Sequence, residues 1–158
     1  MIKTKDKSAA NTAHDIMQNN VITPERRVRF LKQTAVFSTF DRAHLEGIAW
    51  AVTERAVQDG EWLCRTGDKG DELYVIYEGR VQVVSETGGQ DTIVYTAGPG
   101  EVLGEMSVLG HIPRTAALRA AGPARLLVLK GPRFIQLLRE NPDMALAVIE
   151  MLVRRLAG

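Results

Sequence analysis

The sequence has one cysteine, Cys64, among 158 residues. A single thiol excludes an internal disulfide and a cysteine-ligated cluster built by this chain alone, so a reducing cytoplasm is the expected compartment. No apolar run approaches the ~18 residues that read as a membrane span. Met1–Asn20 is polar, starts with a lysine-rich patch and lacks the apolar core of a secretory signal. Net charge is only +1, which gives no bulk electrostatic case for contact with nucleic acid or a membrane. His14, His44 and His111 are isolated and make no metal triad. Ser107 and His111 have helical spacing but no orienting acid, and no other nucleophile–base pair is visible. The chain is therefore expected to bind rather than catalyse, and no cofactor is expected. It shows no internal repeat and no low-complexity tract. What remains is the length of one domain, with 45% apolar residues to build a core.

Periodicity divides the chain. Residues 1–22 are expected to be a flexible extension. Thr23-Pro24-Glu25 is a helix start: a capping hydroxyl, proline at the first helical position and an acid in the first turn. That helix is expected to reach about Gln33. Phe37 and Phe40 anchor a connector, and Asp41 caps a second helix with Leu45, Ile48 and Ala49 on one face. From Val52 the period becomes strand-like. Short strands are expected at 52–57, 61–65, 73–77, 80–85, 92–96, 115–120 and 125–130, separated by glycine-rich turns. Such regular short strands predict a jelly-roll-like β-roll over about 52–130, with helices on either side. Helical period returns after Lys130. One helix is expected from Pro132 to about Glu140, and another from Asp143 to about Leu156 after Asn141-Pro142. On the last helix Met144, Val148, Met151 and Arg155 form one stripe, and Ala145, Ile149, Leu152 and Leu156 a second. Two stripes suit two contacts, one with the barrel or a ligand and one with another helix or protomer.

The chain is organised around residues 100–116. Gly104 lets backbone approach a partner closely. Glu105-Met106-Ser107-Val108-Leu109 reads as one or two helical turns, whose first N–H groups attract an anion. Nine residues after Glu105 come Arg114 and Thr115, a fork and a hydroxyl suited to phosphate. Glu105 suits a sugar hydroxyl instead, as an acceptor.

This stretch resembles the phosphate-binding cassette of cyclic nucleotide-binding domains, found in catabolite-activator-type regulators, cyclic-nucleotide-dependent kinase regulatory subunits and cyclic-nucleotide-gated channels. The family pattern is Gly-Glu, a short helix, then Arg-(Ala/Ser/Thr)-Ala. Gly104-Glu105 and Arg114-Thr115-Ala116 match it in type and spacing, and the resemblance runs from about Val36 to the C-terminus. It implies the same β-roll. It implies cAMP or cGMP as ligand, with Arg114 on the cyclic phosphate, Glu105 on the ribose 2′-hydroxyl, and backbone groups of Gly104, Met106, Ser107 and Ala116 around the phosphate. Thr115 is similar to the residue that reaches the guanine 2-amino group in cGMP-responsive relatives, which implies dual binding with a slight lean to cGMP. By position, Val83, Tyr95 and Leu103 resemble the wall beside the purine, or are simple core. Tyr95 either stacks on the base or points its hydroxyl to solvent. In relatives a residue of the final helix closes over the base. Met151, Arg154 and Arg155 stand there, the alternative being a solvated basic helix end.

The resemblance implies a module that signals through its terminal helices, with hinges near Lys130–Pro132 and at Asn141-Pro142, to a homodimer partner or an effector domain outside this chain. Two alternatives stay open. One is the truncated sensor half of a catabolite-activator-type transcription regulator, since the sequence stops before any helix-turn-helix. The other is a degenerate barrel that takes another ligand, such as a cyclic dinucleotide.

Overall fold

The computed structural model describes residues 21–158. Most of the expected extension lies outside the described residues. Of the remainder, Ile22 is buried, and its N–H donates to Glu54.

Helix α1 (Pro24–Lys32) starts as its sequence dictates: Thr23 Oγ1 accepts from the Arg26 N–H at 3.2 Å, and Pro24 follows at the first helical position. Helix α2 (Arg42–Ala51) is capped by Asp41, which accepts from the His44 N–H at 2.9 Å; Leu45, Ile48 and Ala49 are buried. Arg27 of α1 donates to the carbonyls of Ala49 and Val52, at 2.8 and 3.0 Å, and pairs with Glu54 at 3.3 Å. Glu54 also pairs with Arg125 at 3.3 Å, so one buried carboxylate ties the N-terminal helices to the barrel.

The strands are β1 (Thr53–Val57), β2 (Trp62–Cys64), β3 (Glu72–Glu78), β4 (Val81–Ser85), β5 (Thr92–Ala97), β6 (Val102–Leu103), β7 (Ala117–Ala120) and β8 (Ala124–Lys130). They form two antiparallel four-stranded sheets, ordered β1-β8-β3-β6 and β2-β7-β4-β5. This is the expected β-roll. Strands β3 and β8 are apolar almost throughout because both of their faces are covered. Tyr74, Ile76, Leu126 and Val128 point between the sheets, whereas Leu73, Val75, Leu127 and Leu129 point to the helices. Cys64 is buried between the sheets.

Strand β6 adds to the expected set. It has two residues, paired with Tyr74 and Val75 of β3, and it leads into helix α3 (Glu105–Gly110). Strand β8 passes directly into helix α4 (Gly131–Glu140), whose first N–H donates to the Asp71 carbonyl at 2.7 Å. Helix α5 (Pro142–Ala157) begins where Asn141 leaves helical geometry (φ −137, ψ 95), and Asn141 caps it through the Met144 N–H at 3.1 Å. Met144 and Val148 of α5 are buried against the helical core, as the first stripe anticipates. The second stripe is rotated from its expected place. Leu152 packs on the core, and the outward apolar line is Leu146, Ile149, Val153 and Leu156. Among the described residues no helix is long and apolar enough to cross a membrane.

Candidate functional site

Gly104 sits at the head of α3 with φ +89, a left-handed conformation that glycine adopts freely. A Cβ there would also lie 2.6 Å from Arg114 Nη1 and 2.9 Å from the Glu72 carbonyl. Only hydrogen fits between the cassette and the arginine. His111 ends α3 in the same left-handed region at φ 53.

Arg114 is only 4% exposed. Its Nη1 donates to the Gly104 carbonyl at 3.1 Å and its Nη2 to the Glu72 carbonyl at 2.7 Å. Its Nε has no partner among the described residues. Its guanidinium stands 5.4 Å from the centre of the Tyr74 ring, and no carboxylate among the described residues pairs with it. A buried cation held only by neutral acceptors is costly, and the charge that would offset it is negative. The backbone of Arg114 is clamped as well: its N–H donates to the Asp68 carbonyl and its own carbonyl accepts from the Gly67 N–H, both at 2.8 Å. Gly70 of the same β2–β3 loop is pressed onto the cassette, where a Cβ would come within 2.3 Å of Ser107 Cβ and 3.0 Å of Arg114 Cδ.

Glu105 is 3% exposed. It pairs with Arg155, from the last turn of α5, and Arg155 also donates to the Val102 carbonyl at 2.6 Å. Tyr95 is exposed, and its hydroxyl is engaged by a neighbour. It donates to Glu101, whose other oxygen accepts from the Gly98 N–H at 2.7 Å. That bond to Glu101 pushes the Tyr95 phenol above its usual pKa.

These groups enclose a cavity of about 530 Å³, a size usual for small-molecule sites. Val83, Tyr95, Leu103, Gly104, Glu105, Met106, Ser107, Arg114, Thr115, Ala116, Arg154 and Arg155 all line it. Met151 does not; it lies a turn before Arg155 and packs on the helical core. Val94, Leu118 and Gly158 line the cavity too, although no sequence signal marked them. Ile93-Val94-Tyr95 is an apolar run without alternation, and the register shift in the β4–β5 pairing falls at Val94, so no periodic signal places Val94 on the cavity side. A larger cavity, about 740 Å³, lies between α3, the β2–β3 loop and α4. Its charged lining residues Lys69, Asp71 and Arg139 are all exposed, so its size comes without a buried charge that calls for a ligand. The smaller cavity is lined by the buried charged side chains of Glu105 and Arg114.

The sequence profile of the cyclic nucleotide-binding domain matches residues 54–141. The chain belongs to the cyclic nucleotide-binding domain family. It is similar to a cAMP-dependent protein kinase regulatory subunit of Dictyostelium discoideum, at 33% identity over 68% of this chain and 34% of that one. It is similar to a cyclic nucleotide-gated channel of Caenorhabditis elegans, at 30% identity over 72% of this chain and 16% of that one. The chain thus spans about a third and under a fifth of those two curated relatives. Its fold is similar to the crystal structure of Thermus thermophilus catabolite activator protein, with a TM-score of 0.70 and 29% identity over 78% of this chain and 59% of that one. The matched region of this cyclic nucleotide-binding domain contains β6, α3 and Arg114. It stops just before α5, so the ion pair from Arg155 to Glu105 joins the family core to a helix outside the match.

Proposed function

We propose that the chain is a cytoplasmic sensor module for a 3′,5′-cyclic nucleotide, taking both cAMP and cGMP with a slight lean to cGMP, and that it passes occupancy through α5 to a homodimer partner or an attached effector. The observation that carries this is Arg114, a buried guanidinium with a free Nε and no carboxylate partner among the described residues, at the wall of a nucleotide-sized cavity. A cyclic phosphate would supply its missing charge through charge-assisted bonds. The first N–H groups of α3, at Glu105, Met106 and Ser107, have no helical acceptor behind them and face the same charge, together with the backbone at Gly104 and Ala116. Glu105 takes the ribose 2′-hydroxyl. Val83, Leu103 and the fixed ring of Tyr95 form the wall for the base, with the end of α5 above it.

Thr115 sets the lean between nucleotides. Its hydroxyl accepts from the 2-amino group that guanine has and adenine lacks, one neutral bond of about 0.5–1.5 kcal/mol. The dimer reading rests on the exposed line Leu146, Ile149, Val153 and Leu156, whose alternating spacing of three and four residues is that of a coiled-coil seam. A sensor half of a catabolite-activator-type regulator is the second reading of the output, favoured by the fold similarity to the Thermus thermophilus protein.

Calorimetric titration with cAMP and with cGMP tests the site, with Arg114→Ala as control. Binding of either by the wild type, lost by more than about a hundredfold in the control, is the expected result. Absence of heat with both would overturn the reading and direct the search to cyclic dinucleotides.

A further inference from the structure

We propose that Arg155 is a positioning residue for the ribose: it holds the Glu105 carboxylate in place, and so ties recognition of the 2′-hydroxyl to the seating of α5. This rests on reading Glu105 as the ribose acceptor.

Three candidates on α5 stand near the cavity, and the structure separates them. Arg154 is 80% exposed on its side chain and, among the described residues, pairs with Glu150, one turn back on its own helix. An exposed pair of that kind contributes little. Met151 packs on the helical core. Arg155 is 25% exposed on its side chain and reaches inward. One guanidinium joins three elements beyond its own: the Glu105 carboxylate of α3, the Val102 carbonyl of β6 at 2.6 Å, and the face of the Tyr95 ring of β5 at 5.9 Å. The planar fork lets arginine meet two acceptors and an aromatic face at once, which an ammonium cannot do.

The carboxylate is divided. Oε1 of Glu105 receives Arg155, and Oε2 has no partner among the described residues. Glu105 lines the cavity, so Oε2 is the atom left to accept a hydroxyl while Arg155 stays in place. Arg155 also neutralises a carboxylate that would otherwise stand buried and uncompensated beside an incoming phosphate. That second effect is common to every cyclic nucleotide. The first is specific to ligands that carry the 2′-hydroxyl.

The difference supplies the test. The full chain, as wild type, Arg155→Ala and Arg155→Lys, is titrated with cAMP and with 2′-deoxy-cAMP. A hydroxyl bonded to a fixed carboxylate gives the wild type a preference for cAMP of about tenfold or more. Arg155→Ala is expected to bring that ratio close to one, and Arg155→Lys to restore part of it. A ratio unchanged in Arg155→Ala would overturn the proposal, even if both affinities fell together, because Arg155 would then act on the phosphate, the base or the helix alone. No binding of either ligand by the wild type would overturn the site reading and this proposal with it, a result distinct from an unchanged ratio.

Discussion

Thr115 is the residue at which discrimination can be measured free of folding effects. It is exposed, it lines the cavity, and its hydroxyl makes no hydrogen bond among the described residues. Surface changes of that kind alter stability by no more than about 0.5 kcal/mol. Thr115→Ala is therefore expected to weaken cGMP by about three- to tenfold and to leave cAMP unchanged, the effect of one neutral hydrogen bond. Paired titrations of the variant check it, and equal loss for both nucleotides would remove Thr115 from base recognition. At this scale the sequence is most readable where the chemistry is contained in one stretch. Gly104, Glu105, Arg114 and Thr115 lie within 12 residues of one another, and they line one cavity as their type and spacing anticipate. The partners of Arg114 are not readable, because they are backbone: the carbonyls of Gly104 and Glu72. Arg155 is one of three candidates until its contacts separate it, since a helical stripe says which face is inward but not which atom it meets.

Among the elements, the cassette owes its position to the β2–β3 loop. Gly70 lies so close that a methyl group would overlap Ser107 and crowd Arg114. Gly70→Ala is expected to cost about 1–3 kcal/mol, as overpacking does. It should also weaken cyclic nucleotide binding, because the displaced atoms belong to the site. Chemical denaturation and titration of the same variant read the two effects; a destabilised variant with wild-type affinity would detach the loop from ligand capture. The near end of that loop is fixed to the end of β4. Glu86 accepts from the Thr66 N–H and from Arg65 Nε, both at 3.0 Å. These bonds, from Thr66 first and then Arg65, hold its carboxyl down from the usual 4.5 to about 2. The folded pKa lies below the unfolded one, so the stabilisation is present above pH 4.5 and is lost as pH falls toward about 2. Glu86→Gln should flatten that share of the acid limb of unfolding, measured by thermal melts across the window. Elements are legible in proportion to their local signal. The capped helices α1 and α2 and the apolar runs of β3 and β8 declare themselves. Strand β6 exists only through its pairing with β3, and two residues carry no periodicity.

For the molecule as a whole, α5 connects the inside to the outside. Its inner stripe runs from Met144 and Val148 in the helical core to Arg155 on the Glu105 carboxylate. Its outer line, Leu146, Ile149, Val153 and Leu156, is exposed. An apolar seam of this kind is self-complementary, and under the proposed dimer reading it would meet the same helix of a second copy. In such a dimer Ile149 and Val153 of both copies would be buried. At about 1.5–3 kcal/mol for each side chain, their loss removes about 6–12 kcal/mol of association. That is more than about a ten-thousandfold change in the dimer constant. Ile149→Glu with Val153→Glu is thus expected to convert a dimer to a monomer in sedimentation velocity. It should leave the cavity itself intact, because neither residue lines it, so any change in cAMP affinity would measure the coupling between assembly and capture. A wild type that sediments as a monomer with and without nucleotide would assign the seam to an attached effector instead. A variant that remains dimeric would place the contact elsewhere. The inner and outer faces share one rigid helix, so the Arg155 variants and the seam variants together ask whether nucleotide capture and assembly are coupled: if they are, Arg155→Ala should weaken the dimer only when ligand is present.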